Sequence, residues 1–126
     1  MQKRRVVVTG LGCISPVGNN VDEFWSSLNA GKSGVETITV FDPTDMPVKF
    51  SAPIKNFEAE KYFDVKEQRK LDTFMQYGMA AGIDAISDAD LSESRIDLER
   101  VGVAIGSGIG GLTLSLIHIS EPTRQA

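Results

Sequence analysis

The residues of this 126-residue chain that could do chemistry are glycine-rich loops, one cysteine and a cluster of cations. Gly106, Gly108 and Gly111 spell G-x-G-x-x-G directly after an apolar run. In a dinucleotide-binding loop such glycines permit a tight turn and let backbone N–H groups approach a pyrophosphate. That chemistry also needs a helix beginning at once, with its N-terminus on the phosphate. Gly10 and Gly12 open a similar loop after Val6, Val7 and Val8, but Pro16 and Gly18 intervene before a helix can begin near Asn20. No acidic residue ends a well-formed second strand about 20 residues further on. A nucleotide-binding oxidoreductase is therefore the secondary reading, to be favoured by saturable NAD(P) binding.

Cys13 is the one cysteine and His118 the one histidine. These counts exclude an internal disulfide framework, a multi-cysteine zinc site and a two-histidine metal site. A catalytic thiolate needs a base or a helix N-terminus to lower its pKa. Beside Ile14, Cys13 reads instead as a small buried hydrophobe. No catalytic residue, metal ligand or cofactor is assigned.

Lys66, Arg69 and Lys70 fall at i, i+3 and i+4 and so share one face at the start of a helix. Cations there oppose the helix macrodipole, at about a few tenths of a kcal/mol each. Two readings stay open. The three form a solvated turn with Glu67 and Asp72 as local partners, or a docking patch for an acidic partner.

The elements that must position these groups follow from pattern. Lys3 to Thr9, with three consecutive valines, reads as a strand buried on both faces of a parallel sheet. Asn20 and Glu23 form a capping-box pair. Val21, Phe24, Trp25 and Leu28 then lie on one helical face, Trp25 as a core residue, and Gly31 stops the helix. Gly31 to Ile54 is irregular, broken by Pro43, Pro47 and Pro53, with a short edge strand at Val48 to Ala52. A short helix is expected around Glu58 to Phe63. Asp64 and Glu67 cap a longer helix, whose buried face carries Leu71, Phe74, Met75, Gly78, Met79, Gly82 and Ile86. Gly78 and Gly82 each cost about 1 kcal/mol relative to alanine, which a close backbone neighbour from a sheet or a second subunit would explain. Arg100 to Ile105 reads as a second buried strand. The order strand, helix, helix, strand argues for α/β architecture.

Composition agrees with one soluble domain: 41% hydrophobic, 24% charged. A net charge of −4 gives no electrostatic reason to expect nucleic acid or an anionic membrane as partner. No apolar run approaches the roughly 20 residues of a membrane span. Three valines after Lys3, Arg4 and Arg5 are too few for a signal-peptide core. A cytoplasmic location is expected. From Leu114 the run LSLIHISEPTR continues neither helix nor strand logic. It resembles the translation of a transposase-type sequencing adapter. The expected organisation is a native part over residues 1–113 and a non-native tail over 114–126. His118 falls in that tail and receives no role.

Together RRVVVTGLGCISPVGN, the GKSG turn after Phe24, Trp25 and Leu28, KEQRKLDTFMQYGMAAG and VGVAIGSGIGGL resemble the condensing enzymes of fatty-acid synthesis. The similarity covers Lys3 to about Leu112 and is closer to the type II than to the type I β-ketoacyl synthases. The resemblance implies a thiolase-like fold, of which this chain would hold part of the first half only, and a homodimer. It implies an acyltransferase that loads an acyl group on a cysteine and condenses it with decarboxylated malonyl-acyl carrier protein. Neither metal nor redox cofactor is implied. By the same resemblance the nucleophilic cysteine, both catalytic histidines and a nearby lysine come later than this chain reaches, so the chain alone should be inactive. Lys66, Arg69 and Lys70 match positions that contact the acyl carrier protein, and Ile109 matches a residue lining the acyl pocket. A polyketide ketosynthase is the near alternative. Unpaired strand edges and exposed apolar faces would make such a chain aggregate or stay molten.

Overall fold

The computed structural model describes residues 2–91 and 95–111. The expected boundary at 113/114 and His118 lie outside the described residues. In chain order the elements are helix α1 (Val21–Asn29), strands β1 (Glu36–Thr37) and β2 (Phe50–Ser51), and a 3-10 turn at Ala59–Lys61. Helices α2 (Val65–Lys70) and α3 (Thr73–Asp88) and a 3-10 turn at Leu98–Arg100 follow.

Helix α1 begins and ends where its sequence says it should. Asn20 Oδ1 accepts from the Glu23 amide at 2.8 Å. The Glu23 carboxylate accepts from the amide of Asn19, one residue before the cap, at 3.1 Å. At the other end Gly31 takes φ +66°, and the amides of Gly31 and Lys32 return to the carbonyls of Leu28 and Ser27 at 3.1 and 2.9 Å. This is the paired closure that glycine permits after a helix. Trp25 corrects the core expectation: it is 62% exposed, because no element covers that side of α1 among the described residues.

The expected edge strand contracts to Phe50–Ser51, and its partner Glu36–Thr37 lies within the stretch read as irregular. The pair is antiparallel, with Glu36 opposite Ser51 and Thr37 opposite Phe50. A further bond joins the Ile38 amide to the Lys49 carbonyl at 2.9 Å. The two expected buried strands are not strands here. Residues 3–9 and 101–105 form no ladder among the described residues, and Val6 is 90% exposed. Arg100 closes the 3-10 turn instead. β-branched residues favour extended backbone, but a strand exists only when a neighbour supplies the other half of its hydrogen bonds.

The long helix expected after Asp64 is two helices. Asp64 and Glu67 form the full reciprocal capping box at the start of α2. Leu71 then leaves helical geometry at φ −104°, ψ 127°. Asp72 caps α3 by accepting from the Thr73 amide at 2.7 Å. The buried face of α3 is also not the expected one. Phe74, Met75, Met79 and Ile86 are all exposed, whereas Ala80 is fully buried. The first loop lies instead on the alanine side of α3. A Cβ on Gly12 would overlap the backbone of Ala81, and one on Gly10 that of Ala85 and Ala89. Around Gly78 and Gly82, by contrast, such an atom would meet nothing within 4 Å. The close approach thus occurs at the loop glycines, where a side chain would hold the segment off the helix.

Two polar anchors fix this seam. The Leu11 amide donates to Asp88 Oδ2 at 2.9 Å, and the Tyr62 hydroxyl donates to Asp84 Oδ2 at 2.7 Å. Phe57 stacks on Tyr62 and meets Tyr77 edge-on, with ring centroids 6.0 and 5.0 Å apart, separations typical of favourable aromatic pairs. Phe63 beside them is 5% exposed, and with Ala80 it makes up the buried apolar core of the described residues.

Candidate functional site

Lys66, Arg69 and Lys70 stand together on α2, all exposed. Because the helix stops at Lys70, Arg69 and Lys70 occupy its last turn. The expectation that they oppose the macrodipole is thereby reversed for these two. Cations near a helix C-terminus are favourable by about 0.3–1 kcal/mol. The acids that could have neutralised them are engaged elsewhere. Glu67 accepts from the Asp64 amide at 3.2 Å, completing the box, and Asp72 caps α3. Among the described residues none of the three cations joins an ion pair. Three positive charges without an ion-pair partner among the described residues thus project from one short helix closed at its start by a capping box.

Ile109 lies in the glycine-rich segment and is 80% exposed. The segment turns at Gly111 with φ +86° and is braced by the Gly110 amide donating to Ser107 Oγ at 3.1 Å. A Cβ on Gly110 would overlap the Phe74 ring, so the segment crosses the N-terminal end of α3 in close contact. Next to this crossing is an apolar groove of about 390 Å³, walled by Phe74, Met75 and Met79 on one side and Ile105 and Ser107 on the other. The structure therefore brings Ile109's segment to the end of α3 that follows α2. The groove-lining residues of α3 were readable as an apolar helical stripe but not as a groove, since burial was the expected use of that stripe.

A second cavity, of about 680 Å³, lies between the first loop, Lys55 and the Asp84 to Asp88 side of α3. Two of its polar side chains hold the seam, while Asn19 Oδ1 is buried with no hydrogen-bond partner among the described residues. Lys55 Nζ donates to the Gly34 carbonyl at 3.0 Å, and Asn19 Nδ2 donates to the Lys55 carbonyl at 2.6 Å. Burial first, and then the hydrogen bond to Asp84 with the charges of Asp84 and Glu58, push the Tyr62 hydroxyl up to about 12. Cys13 lines this cavity half-buried rather than buried, and no histidine is in the lining. Gly10 and Gly12 face α3 instead of forming a phosphate cradle, and α1 begins at Val21, well beyond both. Among the described residues no cluster of His, Cys, Asp and Glu could hold a metal ion. None of their helices is long and apolar enough to cross a membrane.

Comparison with known proteins gives these features a family. Residues 3–125 match the family described as Beta-ketoacyl synthase, N-terminal domain. The chain is 52% identical over 114 residues to the 3-oxoacyl-[acyl-carrier-protein] synthase 2 of Vibrio cholerae, covering 90% of this chain and 28% of that protein. It is 41% identical over 118 residues to the protein of the same name from Staphylococcus aureus, covering 93% and 28%. A solved structure titled "The ishigamide ketosynthase/chain length factor" superposes with a TM-score of 0.62 at 33% identity, over 74% of this chain and 23% of that one. The chain thus spans little more than a quarter of the length of the curated relatives it matches. The family match over nearly the whole chain and the identities of 41–52% agree, and the chain belongs to the β-ketoacyl synthase N-terminal domain family.

Proposed function

We propose that this chain supplies part of the first half of a thiolase-like condensing enzyme, and that α2 is where the acyl carrier protein docks. The whole enzyme would act in fatty-acid synthesis as a cytoplasmic homodimer. It would transfer an acyl group to a cysteine and lengthen it by decarboxylative condensation with malonyl-acyl carrier protein. The observation that carries the docking assignment is the set of unpaired charges on Lys66, Arg69 and Lys70, whose neighbouring acids are engaged in helix caps. A carrier surface rich in carboxylates complements such a face and is steered to it before contact. Ile109 is assigned to the acyl pocket, where its branched apolar side chain suits a hydrocarbon chain. The residues of this chain include no assigned nucleophilic cysteine or catalytic histidine, so it should not catalyse condensation by itself. A polyketide-type ketosynthase is the second reading, favoured by the ketosynthase/chain length factor neighbour. The acyl chains accepted by the whole enzyme separate the two.

The test uses a full-length chimera, with residues 3–111 of this chain in place of the matching segment of the Vibrio cholerae relative. Reversing all three charges (Lys66→Glu, Arg69→Glu, Lys70→Glu) should raise KM for acyl-carrier substrate by about tenfold or more, with the unmutated chimera losing affinity as salt rises. An unchanged KM would remove the docking assignment. Residues 114–126 we assign to a foreign tail, although the family match runs on to residue 125. An independent long read of the source DNA across the codons for Gly110 to Leu116 decides it. A frame continuing into other sequence supports the assignment, and the same codons found again overturn it.

A further inference from the structure

We infer that Gln76 is a positioning residue for carrier docking, the clip that holds α2 at the angle from which its cations meet the partner. This rests on the docking assignment above. Helix α2 has six residues, far below the length at which a helix persists by itself, so its orientation must come from outside. Its last carbonyls have no partner within the helix. Gln76, in the first turn of α3, meets that need. Its Nε2 donates to the carbonyls of Gln68 and Leu71, each at 3.2 Å. One amide group thus ties the last turn of α2 and the break after it to α3.

Gln68 continues the tie in the other direction. Its Nε2 donates to the Phe63 carbonyl at 3.0 Å, and Phe63 is one of the buried core residues. With about 3.6 residues per turn, Gln68 lies opposite the centre of the Lys66, Arg69 and Lys70 face. The back of α2 is therefore pinned to core and α3 while its front is left free. Gln76 touches none of the cations in these bonds and acts through the helix that carries them. Replacing its amide by a group that cannot donate would leave the charges present but free to swing, so that binding must also order the helix.

In the same chimera, Gln76→Met keeps the side chain's length and helix preference but loses the donor, and Gln76→Glu keeps the shape and turns an oxygen toward both carbonyls. Each should raise KM for acyl-carrier substrate by about fivefold, with kcat within about twofold, the size of coupling a shared hydrogen-bond network carries. In an Arg69→Glu background the further effect of Gln76→Met should nearly vanish, because both changes act on one interaction. A merely structural role would lower kcat as well, or add its full effect in the Arg69→Glu background, and either result overturns the proposal. If Arg69→Glu raises KM and neither Gln76 variant does, the positioning role alone fails. If Arg69→Glu leaves KM unmoved, the docking assignment fails and the positioning role falls with it.

Discussion

Two parts of this molecule carry equally clear sequence signals and reach different outcomes. Around the first loop and α3, Gly10 and Gly12 sit against Ala81 and Ala85, Leu11 and Tyr62 bond Asp88 and Asp84, and Phe57, Tyr62 and Tyr77 interlock. Along residues 3–9 and 101–109, Val6, Val7, Val8, Val103, Ile105 and Ile109 face outward without ladder partners. The first region closes with contacts it contains. The second consists of apolar strand-forming sequence whose complement is not among the described residues. The contrast separates signals that a segment can satisfy locally from signals that only a neighbour can satisfy.

The largest expected effect tests the open region. The 126-residue chain alone should show no sharp thermal transition and should bind a hydrophobic dye, as states with exposed apolar surface do. A cooperative transition in a soluble monomer would mean that the valine runs find partners within the chain. A smaller effect tests the closed region. In the full-length chimera Gly12→Ala should destabilise by about 1–3 kcal/mol, the usual result of overpacking, read from the urea midpoint. Gly78→Ala has open space in this chain and should raise helix content in far-UV circular dichroism, by up to about 1 kcal/mol of helix stability. Equal responses at the two glycines would erase the distinction.

The smallest effect concerns pH. Tyr62 holds its proton up to about 12, mainly through burial and then through Asp84, against an ordinary value of 10.0. The unfolded chain releases that proton first as pH rises, so it binds fewer protons than the folded chain in this window. Stability should therefore decline between those two values and be untouched below them. In the full-length chimera, phenolate absorbance should include a late step from Tyr62 that Asp84→Asn shifts earlier. Loss of the late step on Tyr62→Phe checks the assignment.

What the sequence made legible follows the same division. The caps at Asn20, Asp64 and Gly31 were readable because each helix end is settled within a few residues. The break at Leu71 was not, because the apolar spacing runs straight through it, although Asp72 before Thr73 is itself a capping signal. Missing that break also inverted the electrostatics of Arg69 and Lys70, since a helix end became a helix start. Trp25 and the α3 stripe read as core because periodicity says which face is apolar, not whether anything covers it. The docking face was legible as three cations at helical spacing. Gln76 was not, since a lone glutamine has no pattern until its amide is seen between two carbonyls.

The most direct measurement of the docking face compares two acyl donors in the chimera carrying Arg69→Glu. One donor is acyl-carrier protein; the other is a small pantetheine thioester of the same acyl chain, which lacks the acidic protein surface. If α2 receives the carrier, KM should rise by about fivefold or more for the protein-bound donor and stay unchanged for the small one. If both values rise together, or neither moves, the cations of α2 do not recognise the carrier.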